Sequence, residues 1–327
     1  MAAQSVGSGG GLNQQTTASR TFYSKMLLAT LHQWLGVRSF AKDSLDIPKN
    51  SGQTISWRQF SKLSAATTAL TEGSPPSGSN LSISEITAVL AQYGDFIEFT
   101  DLILETGADP YALQTLQLQA RQVALTFDSL IQSAILAGTN VTYASTATAR
   151  NQVSSAMTFA TAKLDRVIRN LQSRHVPYVT SWINPSTGVS TVTGLPAYIA
   201  FVTPQMWENI KGATGVQTVD KYQSGNTTFP NEVGKYDAIR FIMSTVGYIS
   251  TGTGAAGVDV QLMPVFGQDA FGVSKLEGDA VKALVRNIDT PDSSDKLGQK
   301  GHIGWKAYFV AKLLDQNKIE RYEFYAA

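Results

Sequence analysis

An α+β fold is predicted by three features of the chain: one long helical periodicity, alternating runs on both sides of it, and no internal repeat. The 327 residues allow about two domains, or one larger fold with insertions. Hydrophobic residues make up 43%, enough for a sizeable core, whereas charged residues reach only 16%, below the usual share of roughly 25%. Ser, Thr, Gln, Asn and Gly fill the difference. Net charge is +1, which disfavours a strongly basic nucleic-acid binder and suits a surface that crowds against copies of itself. The chain holds no cysteine, so disulfides, thiolate metal sites and cysteine nucleophiles are excluded. His32, His175 and His302 are scattered, with no metal-ligand spacing. No apolar run reaches the ~18 residues of a membrane span, and no secretory signal is legible, so synthesis and retention in a cytoplasm are expected.

Residues 1–20 are dominated by Gly, Ser, Gln, Thr and Ala, with one charge at Arg20, and are expected to order only on a partner. Phe22, Met26, Leu27, Leu31, Trp34 and Leu35 then fall at helical spacing and predict a short amphipathic helix. From Thr54 the rhythm changes to two: Ile55 and Trp57 alternate with Thr54, Ser56 and Arg58. The turn-dense run from Thr71 to Asn80 separates this strand from a second β-like run, Leu81 to Thr100, and the three together predict an extended hairpin. Such a hairpin is marginal alone and is expected to lie on something else.

Asp109-Pro110 then opens the clearest pattern of all. Leu113, Leu116, Ala120, Val123, Phe127, Leu130 and Ala134 step by three and four until Gly138. A helix of about 28 residues, about 42 Å long, is predicted as a spine with Leu116, Val123, Phe127 and Leu130 at its core and Gln119 off the stripe. A second helix is predicted over residues 156–174, burying Met157, Ala160, Leu164, Val167, Ile168 and Leu171, with Lys163, Arg166 and Arg169 on a solvated face. After Pro177 the chain reads as β-rich: strands over 197–203, 236–244 and 258–266, and a short helix starting at Pro204. The segment from Ile303 to Phe324 is expected to be a buried strand pair turning at Asp315-Gln316-Asn317.

Several chemical motifs fail on context. Gly252-Thr-Gly254-Ala-Ala-Gly257 has the dinucleotide fingerprint, but the following Val258-Asp259-Val260-Gln261-Leu262 alternates like a strand where a helix is required. A loop between strands is expected there. Ser39-Phe-Ala-Lys42 has Ser-x-x-Lys spacing without its companion motifs. Asp289, Asp292 and Asp295 form a loop cluster conceivable as a surface cation site, yet the closing Glu of an EF-hand is missing. No nucleophile, base and orienting group come together, so no catalytic residue and no cofactor are assigned.

Four stretches carry a resemblance. They are Ile47-Pro48-Lys49-Asn50-Ser51-Gly52-Gln53-Thr54-Ile55-Ser56-Trp57-Arg58, Leu70-Thr71-Glu72-Gly73 with Pro76, Gln92-Tyr93-Gly94-Asp95-Phe96 with Asp101, and Leu297-Gly298-Gln299-Lys300-Gly301-His302-Ile303-Gly304-Trp305-Lys306 followed by Ala311-Lys312-Leu313-Leu314. In this order, over about residues 22–324, they resemble the major capsid family of N-four-like tailed bacteriophages, which has the Hong Kong ninety-seven-like shell fold. Residues 176–193 show no sharp match.

The resemblance implies an N-terminal arm (1–46), an extended hairpin loop (47–100), a peripheral domain with the spine helix (101–152), an axial domain (153–291) and a C-terminal return to the peripheral domain (292–327). It implies a structural, non-enzymatic subunit that assembles as pentamers and hexamers into the icosahedral head around double-stranded DNA. Trp57, Arg58, Phe60, Glu72 and Pro76 would make the hairpin's contacts with an adjacent subunit. Further implied partners are portal and scaffolding proteins, decoration proteins, and packaged DNA touched non-specifically on the inner surface. No membrane is involved; assembly is expected in the bacterial host cytoplasm and the final location in the virion. An encapsulin-type compartment shares the fold, and the hairpin-tip and closing motifs favour the phage family over it.

Overall fold

The computed structural model describes residues 37–43, 46–69, 72–73, 78, 80–106, 111–183, 190–222, 229, 231–277, 281–288, 291 and 295–326. The arm helix expected over 22–35 and the Asp109-Pro110 start of the spine lie outside them. Two compact units result, one from residues 92–128 and 281–309, the other from 37–91, 129–277 and 310–326.

The first unit is a helix on a small sheet. The spine helix Tyr111–Leu136 begins here, and its boundary with the second unit falls after Asp128. Strand Lys300–Leu313 pairs with Ala91–Thr100 and, antiparallel, with Val281–Arg286. Leu116, Ala120, Val123, Ala124 and Phe127 are buried along the helix face. Phe127 stacks on Phe309 of the long strand, ring centroids 4.6 Å apart. The closing motif thereby gains a physical meaning. Gly301 has no room for a side chain, since a Cβ there would lie 2.5 Å from the Phe99 ring, and Trp305 Nε1 donates to Gln122 at 3.1 Å.

Three details differ from the periodicity. Gln119 is buried and donates to the Ile303 carbonyl at 2.5 Å, so it faces the sheet instead of water. A helix face wide enough for a five-residue apolar stripe also encloses the positions beside it. Leu130 is only half-buried, because Ile131 and Ile135 take the core over the last turns, in the second unit. Asp128 is buried with no hydrogen bond to Oδ1 among the described residues.

Desolvation lifts the Asp128 carboxyl from 3.8 to about 7. The protonated form is favoured in the fold, so its stabilising contribution is full below pH 3.8 and is lost as pH rises through about 7. Asp128→Asn cannot ionise. Denaturant titrations across this range should show the wild type losing stability relative to Asp128→Asn as pH increases; parallel curves would exclude the effect.

The second unit is built on a large sheet with the order Val141–Tyr143, Ile319–Phe324, Val260–Phe266, Ser190–Val202, Ile239–Met243, Glu232–Tyr236, Gln217–Thr218. Every residue of Val260–Phe266 is buried, as befits a strand covered on both faces. Phe201 meets Phe266 at 5.2 Å and Tyr248 at 6.1 Å in the core. The helix Pro204–Ile210 starts as expected, with Thr203 capping Met206 N–H and proline in the first turn. The other helix runs Thr161–Ser173 and buries Leu164, Val167, Ile168 and Leu171. It begins five residues later than predicted because Ala160 is extended and its N–H donates to Tyr322 Oη at 3.0 Å.

Two strand readings are corrected. The run 236–244 is split by a tight turn, with Tyr236 paired to Ile239 and Asp237 at φ 44°, a conformation that Asp tolerates. Lys300–Leu313 and Ile319–Phe324 are not partners: they enter different sheets, separated by the short 3₁₀ turn Gln316–Lys318.

Candidate subunit-contact surface

The hairpin pairs Thr54–Phe60 with Ile83–Val89 in antiparallel register, Trp57 opposite Ile86 and Arg58 opposite Glu85. No third strand joins it among the described residues. Side chains alternate across such a ribbon, so Ile55, Trp57 and Gln59 share one face while Thr54, Ser56, Arg58 and Phe60 share the other. Burial follows that parity.

The inner face lies on its own chain, within the second unit. Trp57 is 8% exposed, and a Cβ on Gly272 would sit 3.2 Å from its Nε1 and 3.0 Å from Leu314 Cδ1. A side chain at 272 would require the indole or Leu314 to give way by a few tenths of an ångström. The Trp57 N–H finds no acceptor among the described residues. Gln59 Nε2 donates to Asp315 Oδ2 at 2.8 Å. Just past the strand, Lys62 Nζ donates to the Arg174 carbonyl at 2.9 Å, placing a cation at the negative end of helix Thr161–Ser173.

Among the described residues the outer face makes no such contacts. Phe60 is 58% exposed and Ile83, directly across from it, 55%; Val89 is also exposed. Residues 61–69 are exposed throughout, and Leu63 and Leu81 add further apolar area toward the tip. Glu72 is exposed in the tip turn beside Gly73, whose φ is 79°. Pro76 lies outside the described residues.

Of the contact residues read from sequence, Arg58, Phe60 and Glu72 are thus on open surface, whereas Trp57 is inside its own chain. Parity is the physical reason: neighbouring residues of a strand cannot both present to one partner. The anchors Gln59, Lys62 and Gly272 were missed. Alternation around Trp57 was the available signal for Gln59; nothing local marks the other two.

Chemistry of other kinds gains no support here. The glycine-rich segment 252–257 joins Ile249–Ser250 to Val260–Phe266, which pair antiparallel, and a 3₁₀ turn stands where a phosphate-binding helix would be needed. No group of His, Asp and Glu able to hold a metal occurs among the described residues. Asp295 is half-buried and accepts from Lys300 N–H at 2.8 Å; that backbone bond holds its carboxyl below the usual range. Asp289 and Asp292 lie outside the described residues. No described helix is long and apolar enough to cross a membrane.

A family profile described as phage capsid protein matches residues 84–319. No curated protein matches the chain. Among solved structures, the capsid of Ralstonia phage GP4 superposes with a TM-score of 0.66 at 12% identity, covering 88% of this chain and 87% of that one. The cyanophage Pam1 capsid gives 0.63 at 15%, covering 89% of each chain. The head of Helicobacter pylori bacteriophage KHP40 gives 0.62 at 12%, covering 89% and 88%.

Proposed function

The chain belongs to the phage capsid protein family, and from that premise we propose that its extended hairpin clamps adjacent copies together as pentamers and hexamers of an icosahedral head. It is a major capsid protein with the Hong Kong ninety-seven-like fold, a structural component of the virion that associates with itself, not an enzyme. The proposal places it in the N-four-like group, on the hairpin and closing motifs. The double-stranded DNA genome would fill the head, touching the shell without sequence preference. Portal and scaffolding proteins would direct assembly in the host cytoplasm, and decoration proteins would bind afterwards. Residues 101–152 with the C-terminal return 292–327 would serve as the peripheral domain, and residues 153–291 as the axial domain. The family match favours this reading over a cargo compartment.

One observation supports the clamp above all: an apolar hairpin face left open on a chain whose role is to meet its own copies. Each contact can be weak, since a subunit in a closed shell must break several at once to leave.

Replacing residues 68–80 by a short Gly-Ser turn tests the clamp. The subunit should stay folded, because loop closure depends weakly on length, with circular dichroism unchanged apart from the lost segment. Closed particles should disappear from electron micrographs, or fall apart on dilution and heating. Normal shells of normal thermal stability would move the clamp elsewhere.

A further inference from the structure

We infer that in the assembled shell the two faces of the hairpin belong to different chains: Ile55, Trp57 and Gln59 hold it to its own subunit, and Phe60, Ile83 and Val89 meet a second copy. The inference rests on the shell role proposed above and divides the hairpin more finely.

An isolated two-stranded hairpin is marginal in water, and among the described residues no third strand supports this one. Its order therefore comes from the side that is covered. Three contacts supply it at successive points: Trp57 on the Gly272 gap, Gln59 on Asp315, and Lys62 on the end of the helix. A hairpin fixed in this way reaches a neighbour already ordered, so binding does not have to offset the entropy of ordering it.

The outer face has the composition of an interface core. Phe60 and Ile83 form a cross-strand apolar pair. The two charges that accompany them, Arg58 and Glu85, oppose each other in register, so the face carries no net charge to desolvate. That neutrality disfavours a nucleic-acid or anionic lipid surface as the occupant and fits another copy of this near-neutral chain.

The absence of cysteine makes the division testable with a short bismaleimide reagent on full-length protein. Gln59→Cys/Asp315→Cys should cross-link within one chain, both as free subunit and in shells. Shells co-assembled from isotopically labelled Gln59→Cys and unlabelled Asp315→Cys should yield no 59–315 peptide joining the two. Such a peptide would overturn the cis anchor. In parallel, Phe60→Ser/Ile83→Ser should keep its circular dichroism and its intrachain 59–315 cross-link but lose closed particles, with Phe60→Leu/Ile83→Val restoring them. Wild-type yields of shells from the serine variant would overturn the outer-face assignment while leaving the shell role intact. Wild-type protein that remains monomeric even with scaffolding protein would overturn the shell role, and this inference with it.

Discussion

Truncating Phe127 to alanine is expected to leave the chain insoluble or unassembled. Phe127 is 2% exposed in the middle of the spine helix and stacks on Phe309 of the long closing strand at 4.6 Å. Removing a buried aromatic ring typically costs about 3–5 kcal/mol, from lost transfer energy and from the cavity left behind. A single domain has only ~5–15 kcal/mol of net stability. The cavity would open between the helix and the sheet of the first unit, where residues 303–309 of the strand are packed by Ile303, Trp305, Ala307 and Phe309. Phe127→Leu keeps most of the volume and should lose much less. Solubility, circular dichroism melting and particle counts on the two variants provide the check. Normal melting of Phe127→Ala would mean that the helix does not depend on this contact.

Glu323→Ala is expected to be about as damaging, through charge. Glu323 is fully buried on strand Ile319–Phe324 and takes two bonds from Arg150, at 2.8 and 2.7 Å, and one from Arg321 at 2.6 Å. Deleting one partner of a buried ion pair commonly costs about 3–5 kcal/mol, because the remaining charge stays desolvated. Arg150 keeps 32% of its side chain in water and can re-solvate, so the cost falls toward the lower end of that range. Arg321, 12% exposed, has less freedom to do so, although it also donates to the Leu136 carbonyl. Glu323→Gln retains the shape and some acceptor capacity and should cost less than alanine. Denaturant midpoints that place glutamine and alanine together, both near wild type, would show that the pair contributes nothing net.

How much of this was legible beforehand differs by residue. The period of the spine helix, the alternation around Trp57 and the proline start of the helix at Pro204 are local signals, and each produced the element it predicted. For the hairpin, alternation in the sequence already set Trp57 on the face opposite to Arg58 and Phe60, and the structure keeps that division. The turn at Asp237 was also marked, since Asp is depleted within strands. Gln119 was another matter. Its glutamine chemistry points to solvent; in the fold the Ile303 carbonyl accepts from its amide nitrogen, while Oε1 finds no partner among the described residues.

By itself the sequence determined the α+β class, the spine, the hairpin and the absence of thiol chemistry, because these depend on residue type and on spacing within one element. The tertiary structure decided which partners those elements meet. It sent Lys300–Leu313 and Ile319–Phe324 into different sheets, although they are consecutive and both apolar. It placed Gly272 beneath an indole more than two hundred positions away, and Glu323 beside Arg150. Such pairings depend on long-range packing of whole elements, and a strand's own residues specify its period and its covered faces but not the identity of the chain segment that covers them.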